Sequence, residues 1–240
     1  MSTKRGVLYG IGVGPGDPDL ITVKALDILK RVPHIFAAAS SKNEYSLAQN
    51  VVLKHLPDAQ VEQLSFPMTK DKDTLVSAWK ANANRTLEFL NSGTDAAFVT
   101  LGDPMTYSTF SYLHRTIKQM VPDLRVIIVP GVTSYHAAAS LACTPLAEGE
   151  ESFHLVSGVR NPSRLREILE TSENVVVLKT YRSFDDIRRT LEESNLVDRA
   201  VCVMRCGLEG ETVLQDLRSL TSEQMPYLSL IIVKRKGIGP

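Results

Sequence analysis

The stretch Val7-Leu8-Tyr9-Gly10-Ile11-Gly12-Val13-Gly14-Pro15-Gly16-Asp17-Pro18 runs from an apolar segment into a turn packed with glycine and proline, and a helical pattern opens near Thr22. It reads as a strand that ends in a shaped loop before a helix. Glycine tolerates positive φ and has no Cβ to hold a neighbour away, whereas Pro15 and Pro18 remove amide donors and stiffen what the glycines loosen. Such a loop brings bare backbone to a ligand or to another element. Two phosphate-binding patterns do not fit it. A dinucleotide fingerprint G-x-G-x-x-G started at Gly10 meets Pro15 at its sixth position, and one started at Gly12 meets Asp17. A phosphate loop closes on Gly-Lys-Ser/Thr, but this run closes on Gly16-Asp17-Pro18, whose carboxylate would repel a phosphate. For this loop alone, a tight strand-to-helix turn with no ligand remains an equal reading.

Outward from the loop, short β-branched runs alternate with amphipathic stretches, the pattern of βαβ units and a mostly parallel sheet. Strands are predicted at Val7 to Ile11, Ile35 to Ala39, Gln60 to Leu64, Ala96 to Leu101 and Arg125 to Val129, with helices at Thr22 to Val32, Leu47 to His55, Asp73 to Asn91, Thr109 to Met120 and Ser134 to Ala142. Leu75, Val76, Trp79, Ala83, Leu87 and Leu90 recur at helical spacing, which makes Trp79 a packing residue. The acidic, turn-prone Pro145 to Glu151 marks a domain boundary, giving a mostly parallel α/β domain over 1–147 and a second α/β domain over 148–240. The second half predicts strands at Phe153 to Ser157, Val175 to Lys179, Ala200 to Met204, Glu211 to Leu214 and Leu228 to Lys234, and helices at Ser163 to Glu170 and Ser183 to Glu193. Strands this close together near the end imply a mixed sheet, because parallel pairs need longer crossovers.

Lys+Arg and Asp+Glu are 27 each among 240 residues, so there is no net charge to attract nucleic acid or an anionic membrane. No apolar stretch approaches the roughly 20 residues that span a bilayer, and Met1 to Gly6 lacks the apolar core of a signal peptide, so a cytoplasmic small-molecule enzyme is expected. Cys143, Cys202 and Cys206 form no disulfide framework and no zinc spacing, and are expected as reduced, buried or half-buried thiols.

Two further glycine turns follow strands: Gly102-Asp103-Pro104-Met105-Thr106-Tyr107-Ser108-Thr109 and Pro130-Gly131-Val132-Thr133-Ser134. Ligands of open α/β sheets bind outside the carboxyl ends of the strands, so the three loops are expected to converge on one crevice. Asp103, Thr133 and Ser134 also suit helix N-caps, a role compatible with ligand contact. One carboxylate, small hydroxyls, bare backbone and no lysine cluster fit a ligand with ribose hydroxyls and a cationic centre, and S-adenosylmethionine meets those terms.

The Gly-x-Gly-Pro-Gly-Asp-Pro-x-Leu-x-Thr run at Gly12 to Thr22, the Leu-Gly-Asp-Pro turn at Leu101 to Pro104 and the Pro-Gly-Val-Thr-Ser run at Pro130 to Ser134 resemble the three signatures of the tetrapyrrole methylases. The resemblance covers nearly the whole chain. It implies S-adenosylmethionine folded in a cleft between two α/β domains, near Pro15, Leu101, Gly102, Asp103, Thr106, Thr133, Ser134 and, after the strand Ala200 to Met204, Gly207; one more contact falls within Leu178 to Thr180. The segment Gly102 to His114 is similar to the form in methylases of the C20 bridge carbon, and its Tyr-Ser-Thr element points to the cobalt-dependent branch. The substrate would then be cobalt-factor II or cobalt-precorrin-2, and the family typically forms homodimers. Asp103 and, more weakly, Tyr107 are the candidates to stabilise charge or relay the departing proton, and Arg160, Arg182 and Arg205 to meet the substrate's carboxylates. His114 and His136 sit in helical pattern and are expected as plain helix residues, with cobalt arriving inside the macrocycle and no metal site on the protein. The competing readings are a metal-free precorrin-2 C20-methyltransferase, a diphthamide-forming methylase, and a nucleotide-binding module that kept the fold without the reaction.

Overall fold

A computed structural model describes residues 5–40, 46–159 and 161–237. The chain forms two compact units, Met1–Thr133 and Ser134–Pro240.

In the first unit, strands β1 (Leu8–Gly12), β2 (His34–Ser40), β3 (Val61–Phe66), β4 (Ala96–Thr100) and β5 (Val126–Val129) alternate with helices α1 (Val23–Leu29), α2 (Leu47–His55), α3 (Lys72–Asn91) and α4 (Phe110–Met120). The sheet is parallel throughout, in the order β3-β2-β4-β1-β5. The central strands β1 and β4 are buried at every residue, as continuous apolar runs covered on both faces must be. Alternate residues serve opposite faces. Tyr9 and Ile11 join Ala97 and Val99 beneath α1 and α2, while Leu8, Ala96 and Phe98 pack with α3 and α4. Phe98 and Phe110 are wholly buried, each contributing roughly 1.5–3 kcal/mol by area. Helix starts are set by side chains that accept from free amides: Thr22 from Ala25, Ser46 from Gln49, and Asp71 from Thr74. Of the expected α3 stripe, Ala83, Leu87 and Leu90 are buried and Trp79 packs against the same core, but Val76 is exposed.

The second unit contains α5 (Ser134–Leu141), β6 (Phe153–Ser157), α6 (Pro162–Thr171), β7 (Asn174–Leu178), α7 (Phe184–Glu193), β8 (Ala200–Met204), β9 (Thr212–Leu214) and β10 (Ser229–Lys234). Its sheet, β6-β7-β10-β8-β9, is mixed, with β6 and β7 parallel and the remaining pairs antiparallel. Helices α6 and α7 cover one face through Leu165, Leu169, Phe184, Ile187 and Leu191. Ala138 and Ala139 of α5 cover the other, against Val176, Val201, Val203, Leu230 and Ile232.

That packing corrects the boundary expected at 147/148. The division falls at Thr133/Ser134, because α5 spends its small buried residues on the second sheet. The acidic segment is tied down within the second unit. Glu151 accepts from Lys236 Nζ at 2.8 Å, Asn174 Nδ2 at 3.1 Å and the Glu148 amide at 3.2 Å, and stands 3.4 Å from Lys234 Nζ. The Lys234 side chain is only 4% exposed, so its charge depends on this carboxylate and on Glu148 at 3.8 Å. The cysteines also depart in part from expectation: Cys202 is buried and Cys206 half-buried, but Cys143 is exposed. Among the described residues, no helix is long and apolar enough to cross a membrane.

The hydrogen bond from Lys236, followed by that from Asn174, holds the Glu151 carboxyl down from 4.5 to about 2. A depressed carboxyl stabilises the fold fully above its unfolded value, and the contribution is lost as pH falls through the folded one. Glu151→Gln is therefore expected to lower the urea midpoint near neutral pH, with the gap to wild type narrowing between about pH 5 and about pH 2. A gap that is constant across that range would contradict the pairing.

Candidate active site

The carboxyl ends of β1, β4 and β5 meet backbone to backbone. The β1–β4 ladder continues past the strands, with the Val13 amide donating to Thr100 O at 3.0 Å and the Gly102 amide to Gly14 O at 2.7 Å, so that Gly14 and Gly102 form an isolated bridge. A Cβ on Gly12 would stand 2.4 Å from Gly102 O and 2.7 Å from the Gly131 nitrogen, and one on Gly131 would stand 2.2 Å from Gly102 O. No side chain fits at Gly12 or Gly131 without parting the three segments. Gly102 differs from them: its φ is +71°, a left-handed value, and the nearest atom to its notional Cβ is Thr133 Cα at 4.0 Å. Beside Gly102, therefore, main chain borders open space.

Asp103 spans two of the loops. Its Oδ1 accepts from the Met105 amide at 2.8 Å and its Oδ2 from the Gly131 amide at 3.1 Å. The expected helix-cap role is not what it performs. The amide of Phe110, first in α4, donates instead to Ser108 Oγ at 3.1 Å, and Ser108 Oγ lies 2.9 Å from Thr100 Oγ1 at the end of β4. Tyr107, between them, holds a left-handed φ of 51° with its side chain exposed. A residue other than glycine keeps such a backbone only where its surroundings impose it, and sites of this kind cluster at functional loops.

In the opening loop Asp17 is a folding device. Its Oδ1 accepts from the Asp19 amide at 2.9 Å and caps the 3-10 turn Pro18–Leu20, a turn whose Pro18 carbonyl accepts from His55 Nε2 at 2.9 Å. Pro15 is buried beside it. Pro15, Leu101, Gly102, Asp103, Thr106 and Thr133 thus all lie in the first unit, on loops at the carboxyl ends of β1, β4 and β5.

Ser134 and Gly207 belong to the second unit, Ser134 as the first residue of α5. Gly207 follows β8 at φ 76°, its amide donating to Glu211 Oε2 at 2.6 Å. Within Leu178 to Thr180, Thr180 is fully buried with its hydroxyl 2.7 Å from Ser229 Oγ, and the exposed Lys179 takes a left-handed φ of 57°. Arg182 and Arg205 are exposed at the ends of β7 and β8. Arg205 lies along its own loop, donating from Nη1 to Glu209 O at 3.4 Å, whereas the Arg182 guanidinium sits 5.2 Å from the Tyr181 ring centre. Arg160 lies outside the described residues. His114 is stacked on Phe110, and burial, with Lys118 nearby, holds its pKa below 6.5. Among the described residues, no three His, Cys, Asp or Glu gather as a metal site.

The profile of the Tetrapyrrole (Corrin/Porphyrin) Methylases matches residues 7–221. The chain is 32% identical to a probable cobalt-precorrin-2 C(20)-methyltransferase of Methanocaldococcus jannaschii, over 95% of this chain and 96% of the relative. It is also 32% identical to the cobalt-precorrin-2 C(20)-methyltransferase of Salmonella typhimurium, over 97% and 98%, and 31% identical to a precorrin-2 C(20)-methyltransferase of a Sinorhizobium species, over 95% of each. Among solved structures, uroporphyrin-III C-methyl transferase from Thermus thermophilus, complexed with S-adenosyl homocysteine, matches with a TM-score of 0.67 at 22% identity over 95% of this chain and 97% of that one. A cobalt precorrin-4 methyltransferase matches at 0.72 and 21% identity over 95% and 94%. At those identities the likeness concerns the fold.

If the glycine contact positions the loops, Gly12→Ala should destabilise the protein by about 1–3 kcal/mol in urea unfolding, the usual cost of overpacking. An unchanged midpoint would show that the segments part freely.

Proposed function

Because the chain belongs to the tetrapyrrole methylase family, we propose that it transfers a methyl group from S-adenosylmethionine to the C20 bridge carbon of cobalt-precorrin-2, in cobalamin biosynthesis. The observation that carries this reading is the near full-length match at 32% identity to two methyltransferases named for that substrate. The metal-free substrate is the second reading, favoured by the 31% identity to the precorrin-2 enzyme. A cytoplasmic homodimer is part of the same proposal.

The loop chemistry fits the cofactor. Bare main chain at Leu101 and Gly102, with open space where a Cβ would point, would let a ligand lie against the backbone. On the first unit, the hydroxyls of Thr106 and Thr133 would meet polar groups, with Pro15 as an apolar wall; Ser134, Gly207 and the Leu178 to Thr180 segment are cofactor contacts that the family resemblance implies. When bound, the cofactor supplies an electrophilic methyl on a sulfonium. The chain's part is then chiefly orientation, which alone can lower a barrier by roughly 7–11 kcal/mol.

Asp103 suits that part. Two amide donors fix the plane of its carboxylate, and each oxygen keeps a second lone pair with which to accept from a ligand hydroxyl or to stand against positive charge on the macrocycle. Methylation at C20 forms a carbon–carbon bond and must release the proton that C20 carried. Tyr107 Oη, on an exposed side chain, is the proposed relay, accepting that proton as it passes its own to water, while Asp103 holds the loops and the ligand.

Mass spectrometry after anaerobic incubation with S-adenosylmethionine should show one added methyl on cobalt-precorrin-2. Methylation of precorrin-2 alone would favour the second reading, and methylation of neither would favour a binding module. Asp103→Asn keeps one acceptor but sets an NH2 against an amide donor, and should weaken S-adenosylhomocysteine binding about tenfold. Tyr107→Phe should lower kcat about 100-fold and leave that binding unchanged; full turnover would remove Tyr107 from the proton path.

A further inference from the structure

Three loops of the second unit end at the same edge of its sheet as Gly207. β7 runs through Lys179 into the 3-10 turn Thr180–Arg182, β8 runs into Arg205, and the antiparallel β10 is entered from Pro226-Tyr227-Leu228. They are stitched together. The Ser229 hydroxyl donates to Pro226 O at 2.9 Å, so in the 2.7 Å pair of buried hydroxyls Thr180 donates and Ser229 accepts. The Arg205 amide donates to Leu228 O at 2.8 Å. These bonds fix the main chain on either side of two aromatic residues, Tyr181 and Tyr227.

The two rings stand 5.1 Å apart, tilted by 56°, with the Arg182 guanidinium 5.2 Å from the Tyr181 centroid. Tyr227 is 56% exposed, a large ring held out at a sheet end by a buried support. The exposed ring, the second ring that props it and the guanidinium beside them form one face with an aromatic and a cationic part. Burial, and then the neighbouring Tyr181, push the Tyr227 phenol above its ordinary value of 10, so it carries no charge near neutral pH that would repel an anion.

We propose that Tyr227, propped on Tyr181 and flanked by Arg182, is the face that receives the macrocycle of the substrate, the ring stacking on the flat conjugated system and the guanidinium meeting a peripheral carboxylate. This deepens the functional reading above and rests on it. The face combines an aromatic plane with a cation, which matches a planar ligand fringed with carboxylates. Adenine, the other flat group in the reaction, carries no carboxylate to pair with the guanidinium, so the face favours the macrocycle.

The test is equilibrium binding with the full chain and two probes, cobalt-precorrin-2 followed by its own absorbance under anaerobic conditions, and S-adenosylhomocysteine followed by calorimetry. Tyr227→Ala and Arg182→Gln should each weaken macrocycle binding about tenfold, and Tyr227→Phe less than about twofold, with S-adenosylhomocysteine affinity unchanged in all three. That unchanged affinity also reports that the variants are folded. Macrocycle affinity within about twofold of wild type in Tyr227→Ala, or a parallel loss for both probes, would overturn the proposal. If the wild-type chain itself fails to bind the macrocycle, the functional reading falls first and takes this proposal with it.

Discussion

The space of a single methyl group decides the architecture of the first unit. Gly12 and Gly131 let their two segments and the main chain at Gly102 approach closer than a side chain at either position allows, the notional Cβ of Gly131 lying 2.2 Å from Gly102 O. Because those segments leave β1, β4 and β5 at their carboxyl ends, the contact gathers three loops at one place on the sheet. The Gly14–Gly102 bridge and the Asp103 carboxylate then hold them in register. Side chains take over only beyond this junction: Ser108 starts α4, Asp17 shapes the opening turn, and Thr22 starts α1. The loop sequences thus act first as folding instructions, and on the proposed function the ligand surface is the main chain they leave uncovered.

The second unit solves a similar problem by other means. Its loops are joined by buried hydroxyls and amide bonds around Thr180, Ser229 and Arg205, and what they carry outward is aromatic and cationic. On the proposed function, the two units divide the labour between a cofactor seat of bare backbone and a face for a flat, acidic substrate. The division follows from composition, since glycine and small hydroxyls cannot stack a ring and tyrosine cannot pass between close backbones.

Much of this was legible in the residues. α2, β6 and β8 lie where periodicity and apolar runs predict them: α2 is a capped helix, β8 a buried apolar run, and β6 a short apolar run bounded by polar turns. α1 stops at Leu29, short of the expected Val32, since Val32 is buried ahead of β2 and the pattern records burial before it records helix. The domain boundary was misplaced for a related reason. An acidic, turn-rich segment looks like a linker, but Glu151 is a partner for the buried Lys234, and the alanines of α5 do not announce which sheet they will cover. The convergence of the glycine loops was readable from the rule for open sheets; the bond that the Gly131 amide donates to Asp103, which takes the place of a helix cap, was not. Tyr181 and Tyr227 meet only through the antiparallel register of β7 with β10, which no local pattern encodes.

The central claim is that the glycine junction is the seat of the cofactor, and a crystal structure of the chain with S-adenosylhomocysteine tests it most directly. The account predicts the ligand against the Leu101–Gly102 main chain, within hydrogen-bond reach of Asp103 and of the Thr106 or Thr133 hydroxyls. A ligand bound away from Gly102, or one whose polar groups are met by none of these residues, would contradict it.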